Sequence, residues 1–222
     1  MLDTLVKLLV AWLLLAGVAL WAHRAELGLS RRMLYASARG LLQLLGLAFV
    51  LHWIFDISSV AAQAALIAFF CLLAGHNSAS HYDGRRQSWL ACSAGLMVAC
   101  ALTLPWLAFG GAIHSDTRAL IPLGSMIAAN GMNAISIMLE RMKSGGAFGE
   151  GARMAMIPTL DTLRLVGLVH MPGIFVGMIL AGASAIDAAV AQVTVLYMIV
   201  ASSFSACMVT VLLMNHMAKS DR

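Results

Sequence analysis

Charged residues are scarce in this sequence, and their scarcity excludes most soluble folds. Only 11% of the 222 residues are charged, whereas 61% are hydrophobic. A soluble domain is typically about half apolar and about a quarter charged. The excess apolar surface must face lipid, so the chain is predicted to be an integral membrane protein. Because lipid cannot satisfy a sheet edge and the apolar runs are continuous, the predicted fold is an all-α bundle.

Cysteine is also sparse, and the sequence has no nucleotide-binding motif. Cys71, Cys92, Cys100 and Cys207 lie in apolar runs without any CxxC pair, and we expect small buried hydrophobic residues rather than disulfides or a metal cage. The glycine-rich stretch SGGAFGEGA (144–152) lacks the Gly-Lys-Ser/Thr ending of a P-loop and follows no strand. It is predicted to be a flexible tether, and we expect no ATP hydrolysis in this chain.

Seven apolar stretches are long enough to cross a bilayer, which takes about 20 helical residues. They cover residues 4–22, 34–55, 60–79, 89–110, 119–140, 160–182 and 188–214. The basic connections contain Arg24, Arg31, Arg32, Arg85, Arg86, Arg141, Lys143, Arg153, Lys219 and Arg222, and all lie on one predicted side. The positive-inside rule then puts the N-terminus outside and the C-terminus inside. This topology accounts for the basic residues without a nucleic-acid partner. Residues 1–222 are predicted to form a single transmembrane domain.

Polar side chains form a stripe on the fifth crossing, IPLGSMIAANGMNAISIM (121–138). Met126, Asn130, Asn133 and Ile137 share one helical face. Amides in hydrocarbon need partners, so the two asparagines either bond to another helix or line a substrate path. The small residues of this helix permit close helix packing. The fifteen methionines could be ligands of a soft metal or could fill irregular gaps in the core, and we favour core filling. The sequence does not identify the ligands of any metal site.

The sixth crossing contains the polar stretch IPTLDTLRLVGLVHMPG (157–173). Asp161 and Arg164 are three residues apart and share a helical face. One interpretation is an amphipathic helix over roughly 154–168 at the cytoplasmic surface, broken at Pro172 and Gly173 before the crossing resumes. The other is a kinked crossing with an internal ion pair. Spacing alone leaves both open.

IPLGSMIAANGMNA (121–134) and MIPTLDTLRLVGLVHMPGIFVGMILAG (156–182) resemble the FetB/YbbM-type permeases, membrane subunits of bacterial metal-exporting ABC transporters. The resemblance runs from about residue 119 to the C-terminus, and RGLLQLLGLAFVLHWIF (39–55) is similar upstream. It implies a homodimeric, multi-pass protein of the bacterial inner membrane that pairs with a cytoplasmic ABC ATPase, which binds ATP and Mg²⁺. The implied substrate is iron or another metal ion. Plant relatives are linked to aluminium tolerance and one system to UDP-glucose.

The spacing of the residues and the resemblance together lead us to expect roles for particular residues. Met126, Asn130 and Asn133 are expected to line the substrate path. Coupling or structural roles are expected for Glu140, Arg141, Gly151, Pro158, Asp161, Arg164, Gly167, Pro172 and Gly173. The coupling segment covers about residues 141–168. Family members carry a longer acidic, alanine-rich segment there, ending in LGA, of which Gly151 and Ala152 would be the remnant.

Two other classes of function stay open. The short connection between the fifth and sixth crossings favours a membrane scaffold or accessory subunit that transports nothing. A membrane enzyme would need converging acid, base or metal groups. Asp161 and His170 are nine residues apart and would lie on opposite faces of a helix. No catalytic residue and no resident cofactor are therefore predicted, and the chain is not expected to be an enzyme.

Overall fold

The computed structural model describes residues 2–57, 59–112 and 117–220, and in these ranges it contains eight helices and no strand. The helices are α1 (Leu2–Arg24), α2 (Ser30–Phe55), α3 (Val60–Ser80), α4 (Arg86–Phe109), α5 (Thr117–Lys143), α6 (Phe148–Leu165), α7 (Gly173–Leu180) and α8 (Ala185–Ser220). The predicted all-α polytopic fold is confirmed. Arg222, one of the basic residues on the predicted cytoplasmic side, lies outside the described residues.

Six of the described helices, α1 to α5 and α8, are long and apolar enough to cross a membrane. The predicted sixth crossing, 160–182, is not a single helix. It is divided between α6, which begins twelve residues earlier at Phe148, and α7, which has 8 residues. At 1.5 Å per residue α7 rises only about 12 Å, well short of a bilayer core of about 30 Å. The predicted bounds of this crossing are therefore wrong.

The glycine-rich stretch 144–152 is ordered, and the prediction of a flexible tether is wrong. Only residues 144–147 separate α5 from α6. Gly145 has a φ of 89°, and the amide of Gly146 donates to the Arg141 carbonyl at 3.0 Å. Gly151 is buried, and a Cβ there would lie 2.9 Å from the Met138 carbonyl oxygen. These glycines serve a tight turn and a close helix contact, which their spacing in the sequence does not distinguish from flexibility.

The chain divides into two compact units, Met1–Asp56 and Ile57–Arg222. The first unit is the hairpin of α1 and α2. Among its described side chains Ala19 and Ala22 are buried, and most large apolar side chains are exposed. Such a hairpin is stable in lipid, because lipid covers apolar surface that water would not tolerate. The assignment of residues 1–222 to one domain stays a prediction.

The second unit is built on close contacts between small residues. α4 packs against α3, α5 and α8, and α5 also packs against α6. A Cβ on Gly95 of α4 would lie 2.8 Å from the Ala206 carbonyl oxygen, and one on Gly131 of α5 would lie 2.6 Å from Leu96 Cδ2. Small residues let transmembrane helices approach closely, since van der Waals packing drives their association. The predicted close packing of the fifth crossing is confirmed at Gly131.

The four cysteines are free and buried, as predicted. They lie in the core of the second unit, together with larger side chains that are fully buried. Those larger side chains are Leu96, Ile127, Ile135, Met138 and Leu139.

Candidate functional site

α6 runs back along α5 in antiparallel direction. At the turn, Arg141 Nη2 donates to Glu150 Oε2 at 2.7 Å. Further along, Gly151 packs on Met138, and residues 155–162 of α6 share a cavity with residues 130–137 of α5. Asn130 is the central residue of α5 (Thr117–Lys143). The second half of α6 therefore lies level with the middle of a membrane-spanning helix, and the packing disagrees with a helix lying across the cytoplasmic end of the bundle.

The polypeptide breaks after α6 in a compact turn over residues 166–172. The Leu165 carbonyl lies within hydrogen-bond distance of the amides of Leu168, Val169 and His170, at 3.0 to 3.2 Å. The amide of Gly167 donates to the His170 carbonyl at 2.9 Å. These bonds satisfy the end of a helix locally, which matters where water is excluded.

Gly167 and Pro172 have specific roles in this break. Gly167 has a φ of 79°, the left-handed region that only glycine adopts at little cost. Pro172 is buried and precedes the first residue of α7. Gly173 is that first residue and has no positive φ. The break was predicted at Pro172 and Gly173. The structure begins it at Val166 and gives the left-handed conformation to Gly167 instead.

α6, the break and α7 together are long enough to extend beside α8 over the depth of a crossing. Residues 158–162 of α6 share a cavity with Leu196 and Ile199 of α8. α8 begins at Ala185, which lies roughly 16–21 Å before that level at 1.5 Å per residue. The end of α6 and the 12 Å rise of α7 together cover this distance, from the level of the cavity to the start of α8. The residues of the sixth predicted crossing thus form two helices joined by a turn, and that they cross the membrane together stays a prediction.

A cavity of about 150 Å³ lies between α5, α6 and α8. We call it the groove, and it is lined by Asn130, Asn133, Ala134, Ile137, Ala155, Pro158, Thr159, Thr162, Leu196 and Ile199. Asn130 Nδ2 donates to the Met126 carbonyl of its own helix at 2.9 Å, and Thr162 Oγ1 donates to the Pro158 carbonyl at 2.9 Å. Within the described residues neither asparagine bonds to another helix. Lining a cavity is therefore the arrangement that the structure favours.

The predicted stripe is divided by the packing. Asn130, Asn133 and Ile137 line the groove, whereas Met126 does not and packs half-buried against the core. Met126 supplies its backbone carbonyl to Asn130. A role for its side chain in a path stays a prediction.

Asp161 and Arg164 form the predicted pair, but loosely. Arg164 Nη1 lies 3.9 Å from Asp161 Oδ1, and the two side chains are 80% and 54% exposed, respectively. A lone charge at the centre of a bilayer costs about 2.5–3.5 kcal/mol on insertion scales. Since this part of α6 lies beside the middle of α5, its charged face is not suited to lipid. Water or another protein surface must cover it.

Two ion pairs lie near the opposite end of α6: one joins α5 to α6, and the other joins the end of α3 to α5. Arg141 pairs with Glu150 across the turn, and His81 Nδ1 at the end of α3 lies 3.7 Å from Glu140 Oε2. Sequence reasoning missed Glu150 and His81, because their partners are nine and 59 residues away. The acidic residue in the first turn of α6 was a usable signal, since acids favour helix N-termini.

The groove offers amides and hydroxyls but no cluster of titratable groups. Among the described residues, no three His, Cys, Asp or Glu side chains come together as a metal site. Amide and hydroxyl groups can replace water around a polar solute without fixing it tightly. Such an arrangement suits passage of a solute.

Known proteins resemble this chain over most of its length. "Probable iron export permease protein FetB" of Escherichia coli K12 is 26% identical, covering 92% of this chain and 89% of its own length. "UPF0014 membrane protein STAR2" of Oryza sativa subsp. japonica is 28% identical, covering 80% of this chain and 70% of its own length. "Protein ALUMINUM SENSITIVE 3" of Arabidopsis thaliana is 23% identical, covering 91% of this chain and 82% of its own length. No solved structure is significantly similar.

A model of the uncharacterised protein family UPF0014 matches residues 5–147 and 144–218. The two matched segments meet at the turn between α5 and α6, where the sequence indicates a shortened connection. Together they span nearly the whole chain. The resemblance to FetB-type permeases is confirmed, and the chain belongs to the UPF0014 family of multi-pass membrane proteins.

Proposed function

We propose that this protein is the membrane-spanning permease subunit of an ABC-type exporter for iron or another metal ion. It works in the bacterial inner membrane as a homodimer and is driven by a separate cytoplasmic ATPase that binds ATP and Mg²⁺. The name of the Escherichia coli relative supports this assignment. The observation that carries it is the discontinuous helix α6–α7 beside a polar groove at the depth of the α5 midpoint.

A helix break at membrane depth needs a special environment. Non-helical backbone is tolerated there only where protein buries it or where it lines a watery cavity. Transporters use such discontinuous helices to build substrate sites near the bilayer midplane. Here Leu168 and Val169 in the break are 85% and 78% exposed, and Asn133 and Thr162 in the groove are also exposed. A second surface is needed to complete this site.

A second copy of the chain supplies that surface. In a two-fold interface residue i meets residue j, and j meets i. Asp161 and Arg164 make this face self-complementary, because each charge can pair with the opposite charge of the other copy. The two grooves would then enclose a path lined by Asn130, Asn133 and Thr162 of both copies. Two grooves of about 150 Å³ each would together only reach the lower end of usual small-molecule sites of about 300–1,000 Å³, which favours an ion over UDP-glucose.

The turn between α5 and α6 is the coupling point in this proposal. By the positive-inside rule it faces the cytoplasm with Arg141 and Lys143. Because Gly151 packs tightly on Met138, α6 and the cytoplasmic end of α5 move together. A push from the ATPase on residues 141–151 would therefore reach Pro158 and the groove through a stiff helix.

Replacing the groove amides tests the path. The double variant Asn130→Leu/Asn133→Leu should abolish export of iron from cells or its movement in vesicles, because the path loses its polar lining. Asn215→Leu, at an exposed position near the end of α8, is the matched control and should export normally. Unchanged export by the groove variant, with normal expression and a normal elution volume in detergent, would reject the path.

Purification tests the partner. The chain should bring down one ABC ATPase from its own cells, and the complex should hydrolyse ATP faster with iron than with UDP-glucose. The four-residue turn between α5 and α6 favours an accessory scaffold as the rival function. Recovery of other membrane proteins and never an ATPase would favour that rival, and stimulation by UDP-glucose alone would favour a nucleotide-sugar permease.

A further inference from the structure

A second cavity, of about 540 Å³, lies between α3 and α4 and does not share residues with the groove. Its walls are mostly apolar, but three of the lining residues have sulfur-containing side chains: Cys71 of α3, and Met97 and Cys100 of α4. Met97 and Cys100 are three residues apart and share one face of α4. Sulfur side chains from two helices thus line one cavity.

The two thiols are neighbours. Cys71 Sγ lies 3.8 Å from Cys100 Sγ, which is within weak hydrogen-bond range and too long for a disulfide of about 2.05 Å. Their residues are 0% and 5% exposed, and both cysteines are free. Cys100 Sγ also lies 3.9 Å from the Gly124 carbonyl of α5. The pair is held between three helices, so its geometry is preorganised.

We propose that Cys71 and Cys100, with Met97 as a third ligand, bind a soft monovalent cation of the Cu(I) class. Thiolate and thioether sulfur are the ligands that such ions select. With metal–sulfur bonds of about 2.3 Å, a sulfur separation of 3.8 Å corresponds to a sulfur–metal–sulfur angle of about 110°. That bent angle leaves the third position of a trigonal site open, and Met97 lines the same cavity.

The small number of ligands selects the ion. Cysteine binds metals as the thiolate, so Cys71 and Cys100 would both release their protons to solvent when the cation binds. A structural divalent zinc ion takes four protein ligands. In the described part of the chain, the cysteine pair has no third His, Cys, Asp or Glu beside it. The site is therefore short of ligands for a zinc-type divalent metal.

The other two cysteines offer an internal comparison. Cys92 and Cys207 are as buried as the pair, at 0% and 1% exposure, but they line neither of these two cavities. Thiols that serve only as small core residues need no cavity. The difference in surroundings makes Cys92 and Cys207 matched controls for Cys71 and Cys100.

The test is an anaerobic titration of the purified full chain in detergent, with Cu(I) delivered from a chromophoric chelator that competes for it. The wild type and the double variant Cys92→Ser/Cys207→Ser should each retain one Cu(I) per chain. Cys71→Ser and Cys100→Ser should lose at least tenfold in affinity, and Met97→Leu should lose less. Absence of stoichiometric binding by the wild type, or equal losses in the control variant, would overturn the proposal.

X-ray absorption of the copper-loaded wild type removes any dependence on variants that fold poorly. We expect two or three sulfur neighbours at about 2.3 Å. A shell of nitrogen or oxygen alone, or Zn²⁺ binding tighter than Cu(I), would also overturn the proposal. The result does not depend on the transport proposal, because the groove is formed by other residues and binding is measured without an ATPase.

Discussion

Gly151 provides the sharpest test of how α6 packs on α5. A Cβ at this position would lie 2.9 Å from the Met138 carbonyl oxygen and 3.2 Å from Met138 Cγ. The closest atom belongs to the backbone, so it cannot move aside as a flexible side chain would. Overpacking of this kind costs about 1–3 kcal/mol. Alanine recovers about 1 kcal/mol of that through its higher helix propensity. Gly151→Ala should therefore destabilise the chain by about 0–2 kcal/mol.

Gly149 lies two residues earlier in the same helix and is the matched control. It is exposed, and a Cβ there would meet nothing within 4 Å. Gly149→Ala should therefore be neutral or stabilising by up to about 1 kcal/mol from helix propensity alone. Both variants are compared by equilibrium unfolding in mixed micelles with increasing SDS. A Gly151→Ala variant that is more stable than Gly149→Ala would refute the close approach of α6 to α5.

Three further variants probe the break, the charged face and the turn. Gly167→Ala should cost about 1–2 kcal/mol at a φ of 79°, whereas Gly173→Ala, which has open space and no positive φ, should not destabilise the same micelle unfolding transition. The charge exchange Asp161→Arg/Arg164→Asp should keep the dimer seen in cross-linking, while Asp161→Arg alone should weaken it; loss of the dimer in both would remove the pairing between copies. Arg141→Ala should change stability by less than about 1 kcal/mol, since the pair is half-exposed, yet it should lower ATPase stimulation by the permease. Normal stimulation would argue against coupling through this turn.

The membrane class and most helix positions were predictable, because they depend on properties that are local along the chain. Apolar length alone located α3, predicted at 60–79 and observed at Val60–Ser80. The start of α6 was missed, because it depends on a contact with another helix rather than on a property that is local along the chain. A glycine beside an open surface and a glycine beside a carbonyl look identical in a sequence. The structure shows that residues 148–152 are helical, and the contact of Gly151 with Met138 shows that they pack on α5.

The groove was partly predictable. Helical periodicity put Asn130, Asn133 and Ile137 on one face, and the structure confirms that they line one cavity. Periodicity does not tell how far a neighbouring helix extends. Met126 lies one turn nearer the start of α5, where its side chain packs on the core.

The sequence by itself determined that this is a helical membrane protein with a break near Pro172, because hydrophobicity, helical period and the effect of proline act over a few residues. The tertiary structure alone decided that α6 lies along α5, that Arg141 meets Glu150, and that two thiols 29 residues apart come within 3.8 Å. Those juxtapositions depend on where small residues let helices approach. That information is spread over several helices and becomes visible only when they pack together.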